Sequence, residues 1–163
     1  MAEYSFDVVS TNPEVELTNA LDQARREVAT RFDFKATDTT FERQGEIIVV
    51  ESSTEDRARA AVQVLREKAA RRQLSAKLFK VGEAALVGKG RGKIEIQLNA
   101  GINDETAKLL QSRVRAKAAK AQVKIQGDQL RVSSKSKDEL QAIMQALKED
   151  DSIPIPLQFT NYR

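Results

Sequence analysis

Arginine and lysine are the residues through which this 163-residue chain can do chemistry, because the usual catalytic side chains are missing. It contains no histidine and no cysteine. That removes the commonest general base, the commonest transition-metal ligands and any nucleophile relayed through them. Only carboxylates remain to hold a hard cation. Asp33 and Asp38 come nearest to a carboxylate pair, but acids flanking an aromatic segment read as solvated groups or N-caps. No acidic cluster has the spacing of a nuclease or glycosidase site. A protein that is not an enzyme, with no metal or cofactor, is the expectation.

The cations are unevenly placed. Net charge is +3, yet residues 66–137 hold +12 between flanks of −6 and −3. A concentrated positive field attracts polyanions, although lysines on solvated helix faces would give the same count. Lys135 and Lys137 stand at the start of a helix, where free amides and positive potential favour phosphate. Arg113, Lys117, Lys120 and Lys124 form a stripe just before them. Arg113, Arg115 and Arg131 are further candidates, since a guanidinium can pair bidentately with guanine or stack on it. Two familiar nucleotide devices are absent. The run GKGRG at 88–92 lacks P-loop spacing and precedes no helix. The strands KIEIQLN and DQLRVS carry no aromatic platform of the RNA-recognition type, and Tyr4 is the one stacking candidate left over.

These residues are positioned by a unit that the chain contains twice. Gly127–Glu149, GDQLRVSSKSKDELQAIMQALKE, lies without a gap on Gly45–Glu67, GEIIVVESSTEDRARAAVQVLRE. A repeat at this period is evidence of architecture before any single motif. Leu130 and Val132 alternate as on a half-buried strand; Ser136 and Glu139 then form a capping box, and Leu140, Ile143, Met144 and Leu147 share one helical face. The first copy keeps the plan with Ile47 to Val50, a cap at Ser53 or Thr54, and Ala58, Ala61, Val62 and Leu65 turned inward.

The remaining segments complete each copy. Tyr4 to Val9 reads as a strand with Tyr4, Phe6 and Val8 on one face. Asn12 followed by Pro13 reads as a helix start, and RFDFKATDTTFERQ as an extended, bent strand. Ala76 to Val81 closes the first copy as βαββαβ. Residues 82–92, with four of the seven glycines, read as a flexible link. Lys93 to Asn99, a helix capped by Asn103, the hairpin 122–133, the repeated helix and the extended segment Ile153 to Tyr162 give βαββαβ again. Two tandem ferredoxin-like sandwiches of the α+β class are expected, over 1–81 and 93–163. The pattern is equally satisfied if terminal strands trade places between the domains. No apolar run is long enough to span a membrane and no signal-peptide pattern precedes the first strand, so a soluble cytoplasmic protein is expected.

The start YSFDVVS, the segment RFDFKA, the stretch IQGDQLRVSSKSKDELQAIMQALK and the ending PLQFTNYR together resemble the YajQ family of small bacterial proteins. The resemblance covers essentially the whole length. It implies the duplicated ferredoxin-like fold and a ligand of the nucleotide class, namely cyclic di-GMP, GTP or ATP, or an RNA, with a transcription regulator as a partner. The matching signature positions are Phe6 and Asp7; Arg31, Asp33, Phe34 and Lys35; Gln126, Gly127, Lys135 and Ser136; and Gln158, Phe159, Asn161 and Arg163. The candidate ligand set is therefore Arg31, Asp33, Lys35, Arg113, Arg115, Arg131, Lys135, Lys137, Phe159, Asn161 and Arg163. Ala36 and Ser134 stand where the family usually has glycine, and a glycine that let backbone approach a phosphate would mean weaker or different binding here. The ligand is expected on basic loops of the second repeat or between the repeats.

Overall fold

A computed structural model describes residues 3–163. Along the chain the elements are β1 (Tyr4–Val9), α1 (Glu14–Thr30), β2 (Thr40–Gln44), β3 (Ile47–Ser52), α2 (Glu55–Arg71), β4 (Phe79–Val81) and β5 (Ala85–Val87). Then come β6 (Arg91–Leu98), α3 (Asp104–Lys117), β7 (Gln122–Gln126), β8 (Gln129–Ser134), α4 (Lys137–Glu149) and β9 (Gln158–Thr160). They divide into two compact units. One is Asn12–Asn99; the other joins the chain up to Thr11 to Ala100–Arg163.

Each unit is an antiparallel sheet with two helices on one face, as in a ferredoxin-like sandwich. In the unit Asn12–Asn99 the strand order is β2-β3-β6-β4, with β5 also pairing with β6. In the other it is β7-β8-β1-β9. Each sheet therefore includes the first strand of the other repeat, since β1 pairs with β8 and β9 while β6 pairs with β3 and β4.

The helices bury the faces that their periodicity predicts. Leu17, Ala20, Leu21, Ala24 and Val28 of α1 and Ala58, Ala61, Val62 and Leu65 of α2 are buried, as are Phe41, Ile48, Val50, Ile94 and Ile96 of the sheet between β2 and β6. In the other unit Phe6, Val8, Leu130 and Val132 share one core with Leu110, Val114, Leu140, Ile143 and Leu147. Thr54 caps α2 by accepting from the Arg57 amide at 3.0 Å.

Four local readings change, the first being that Ala76–Leu78 forms a 3-10 turn and only Phe79–Val81 of that segment is strand. Asn12 does not cap α1, because Pro13 occupies the cap position without a side-chain bond and Asn12 instead donates to Glu46 at 2.9 Å. The segment after α1 is not a continuous strand: Phe32–Phe34 forms a 3-10 turn, and Ala36 and Asp38 take left-handed φ values of 60° and 46° before β2 begins. Residues 82–92 are not unstructured, since β5 folds back on β6. Two glycines there answer packing rather than flexibility. A Cβ on Gly82 would stand 2.9 Å from the Glu95 carbonyl oxygen, and one on Gly92 would meet the Thr54 carbonyl oxygen and stand 2.5 Å from the Glu55 Cα at the start of α2.

Candidate functional site

Strand alternation places the chemistry of the unit formed by residues up to Thr11 and Ala100–Arg163. Because Phe6, Val8, Leu130 and Val132 face the helices, the residues between them face the other way. Asp7 and Arg131 are direct partners on that open face, Lys124 is opposite Arg131, and Thr160 is opposite Asp7. Lys124, Arg131, Asp7 and Thr160 thus form one row across all four strands.

Asp7 is the fixed point of the row. It is only 1% exposed, and both its oxygens are occupied. Arg131 donates from Nε to Oδ1 at 3.0 Å, and Asn161 donates from Nδ2 to Oδ2 at 2.8 Å. The Arg131 hydrogen bond holds the Asp7 carboxyl below its ordinary value of 3.8; burial opposes this, and the Asn161 bond and the charges of Arg131 and Arg163 reinforce it. The same contact makes the Arg131 guanidinium harder to deprotonate. Among the described residues no partner takes its two terminal nitrogens.

Asn161 reaches Asp7 because the chain is bulged there. Thr160 is opposite Asp7, yet the next backbone bonds join Ser5 and Arg163, at 3.2 and 3.0 Å. Phe6 alone therefore faces two residues, Asn161 and Tyr162, and Asn161 takes a left-handed φ of 54°. The extra residue re-aims the side chains beyond it. Phe159 already points to the helix side, its ring 5.6 Å from Phe6, and the bulge brings Tyr162 to the same side, 6.3 Å from Phe6. Tyr162 donates to the Met144 sulfur at 3.2 Å. A cavity of about 230 Å³ lies there, with Lys137 and Arg163 in its wall.

The other candidates separate from this cluster. Arg113 is held by Asp150 at 3.2 Å and Ser152 at 3.0 Å, on the helical layer behind the sheet, and Arg115 is exposed on the same helix. Lys135 is exposed just before α4. Its neighbour Ser134 is buried, donates to Glu139 at 3.2 Å and accepts from the Ser136 amide at 3.0 Å, so its hydroxyl closes the capping box that Glu139 was expected to close directly. Arg31, Asp33 and Lys35 belong to the unit Asn12–Asn99. Arg31 spends its guanidinium on Asp33, at 3.1 and 2.8 Å, and on Glu27, at 3.1 Å, beside a cavity of about 460 Å³. Asp33 is thereby matched to a cation rather than to Asp38.

Asp7 and Lys124 complete the row although neither was in the ligand set. The signals for Asp7 were its place among the signature positions of the resemblance and its position opposite the Phe6 and Val8 face of YSFDVV. Among the described residues no helix is long and apolar enough to cross a membrane.

The chain is 46% identical to a nucleotide-binding protein of Synechococcus elongatus, over 98% of this chain and 97% of the relative. A nucleotide-binding protein of Mycobacterium avium is 47% identical over the full length of both, and one of Nostoc punctiforme is 46% identical over 98% of each. The family model described as nucleotide-binding protein YajQ-like matches residues 4–163. The chain belongs to the YajQ-like nucleotide-binding protein family.

Proposed function

We propose that the protein is a cytoplasmic, non-enzymatic effector that binds a guanine nucleotide of the cyclic di-GMP class and acts through a protein partner such as a transcription regulator. Its phosphates rest on the open face of the β7-β8-β1-β9 sheet. The observation that carries this reading is the anchoring of Arg131. Its Nε is committed to a buried carboxylate that fixes the plane of the guanidinium, so the terminal nitrogens are presented as a preorganised fork. Lys124 beside it and Arg163 near Asp7 add charge without competing for the same atoms.

A second reading is RNA binding. It is favoured by the placement of this basic row on the solvent side of a ferredoxin-like sheet and by the +12 carried by residues 66–137. Titration calorimetry with cyclic di-GMP, GTP and a short single-stranded RNA, each at two salt concentrations, separates the two. The nucleotide reading expects saturable binding of cyclic di-GMP with a shallow salt slope. Arg131→Lys, which keeps a partner for Asp7 but replaces the fork by a point charge, should weaken it about tenfold. Arg113→Ala should leave it unchanged. Binding of RNA alone with a steep salt slope, as counterion release requires, would overturn the nucleotide reading.

A further inference from the structure

The cavity beside the bulge has a composition unlike that of the charged row. Tyr4 and Tyr162 are on its rim, Phe6 and Met144 line it from the core, and Leu140 of α4 supplies the opposite wall. Its volume of about 230 Å³ is below the roughly 300–1,000 Å³ that encloses a drug-sized ligand. It therefore suits a single planar heterocycle whose polar substituents stay outside. At the mouth, Lys137 and Arg163 supply two positive charges, and the Arg163 backbone pairs with Ser5, two residues from Asp7 on the same strand, which links the cavity to the row containing Arg131.

We infer that this slot receives the base of a purine nucleotide, stacked against Tyr162 and Tyr4, while its sugar and first phosphate pass Lys137 and Arg163 at the mouth and the rest of the ligand turns round the sheet end, where Ser5 pairs with Arg163, toward Arg131. The inference rests on the nucleotide reading above and adds the half of the ligand that the charged row cannot recognise. Aromatic rings stack on any base and tolerate its identity. A thioether makes favourable contacts at a ring edge. Tyr162 is 59% exposed, and its hydroxyl is held by a sulfur, a weak acceptor. Its ring is thus free to adjust over an incoming base at small loss. The bulge at Asn161 is what delivers it, so one backbone irregularity both completes the Asp7 pairing and builds the slot.

The chain has two tyrosines and no tryptophan, so intrinsic fluorescence reports on this slot alone. GTP titrated into the full chain, with absorbance correction, should quench that emission, whereas ribose 5-phosphate should not. Tyr162→Leu should weaken GTP about tenfold, as loss of one stacked base does, and leave ribose 5-phosphate unaffected. Gln141→Trp, a change at an exposed α4 position on the rim, should occlude the slot and weaken GTP in a folded protein. GTP binding without quenching, insensitive to both substitutions but weakened by Arg131→Lys, would overturn the base slot and leave the phosphate site standing. Failure of GTP and cyclic di-GMP alike to bind the unaltered chain would overturn both.

Discussion

Asp7 shows how a single residue can be visible in a sequence while its purpose is not. It falls on the polar side of an alternating strand, but its partners Arg131 and Asn161 lie 124 and 154 positions away, and no local pattern connects them. A buried carboxylate with both oxygens bonded should be costly to alter. Asp7→Asn is expected to lose about 2 kcal/mol at pH 7, the scale for hydrogen bonds to a charged group. Because the folded carboxyl titrates below 3.8, this stabilisation is complete above the unfolded carboxylate value and disappears as pH falls through the lower folded value. Urea unfolding of the two proteins should therefore converge under strongly acidic conditions and separate near neutrality. Ala36 is a different case. Its φ of 60° lies in the left-handed region, which glycine enters freely and which costs an L-residue roughly 1–2 kcal/mol. Ala36→Gly should raise stability by about 1 kcal/mol in the same assay, the gain being reduced by the greater freedom of unfolded glycine. Ser134 has no such strain, and its hydroxyl is occupied in the cap of α4.

At the level of elements, helices were the most legible. Their apolar faces repeat every 3.6 residues and their caps are local, so α2 and α4 could be read from one copy and checked in the other. Irregular stretches were not, because turns and close approaches depend on neighbours distant in sequence. Phe32 and Phe34 suggested a strand by composition, yet Phe34 is buried and Phe32 is 88% exposed at either end of a 3-10 turn. The glycines of 82–92 suggested freedom, yet Gly92 is where β6 passes against the first residues of α2. Gly92→Ala would drive a Cβ into backbone that cannot swing aside. A loss of about 3 kcal/mol or more is expected, at the upper end for overpacking, measured as a lowered urea midpoint with an unchanged slope. The bulge at Asn161 was equally hidden. Asparagine is among the residues that tolerate φ above zero, but only the pairing of Ser5 with Arg163 reveals the extra residue.

For the molecule as a whole, the order βαββαβ twice over was legible, and which strand completes which sheet was not. YSFDVV and KIEIQLN both alternate apolar and polar residues, with Phe6 and Val8 in one and Ile94 and Ile96 in the other, so hydrophobic pattern alone cannot choose between them. The structure gives β6 to the sheet with β3 and β1 to the sheet with β8. A fragment spanning 12–99 is accordingly expected to unfold cooperatively by circular dichroism and chemical denaturation, whereas a fragment spanning 93–163 should not, because it lacks the strand between β8 and β9. Adding residues 3–11 as a peptide should restore order to the latter, and a cooperative transition without the peptide would contradict the assignment. The position of β1 also sets an order of events during synthesis. Strand β1 is translated before the unit Asn12–Asn99 and must wait, unpaired, until β8 and then β9 have followed, while that unit can close in the interval. A chain stalled or cleaved after Asn99 would therefore release a folded unit preceded by a half-apolar strand with no sheet to join, a ready substrate for chaperones or for pairing with another nascent chain.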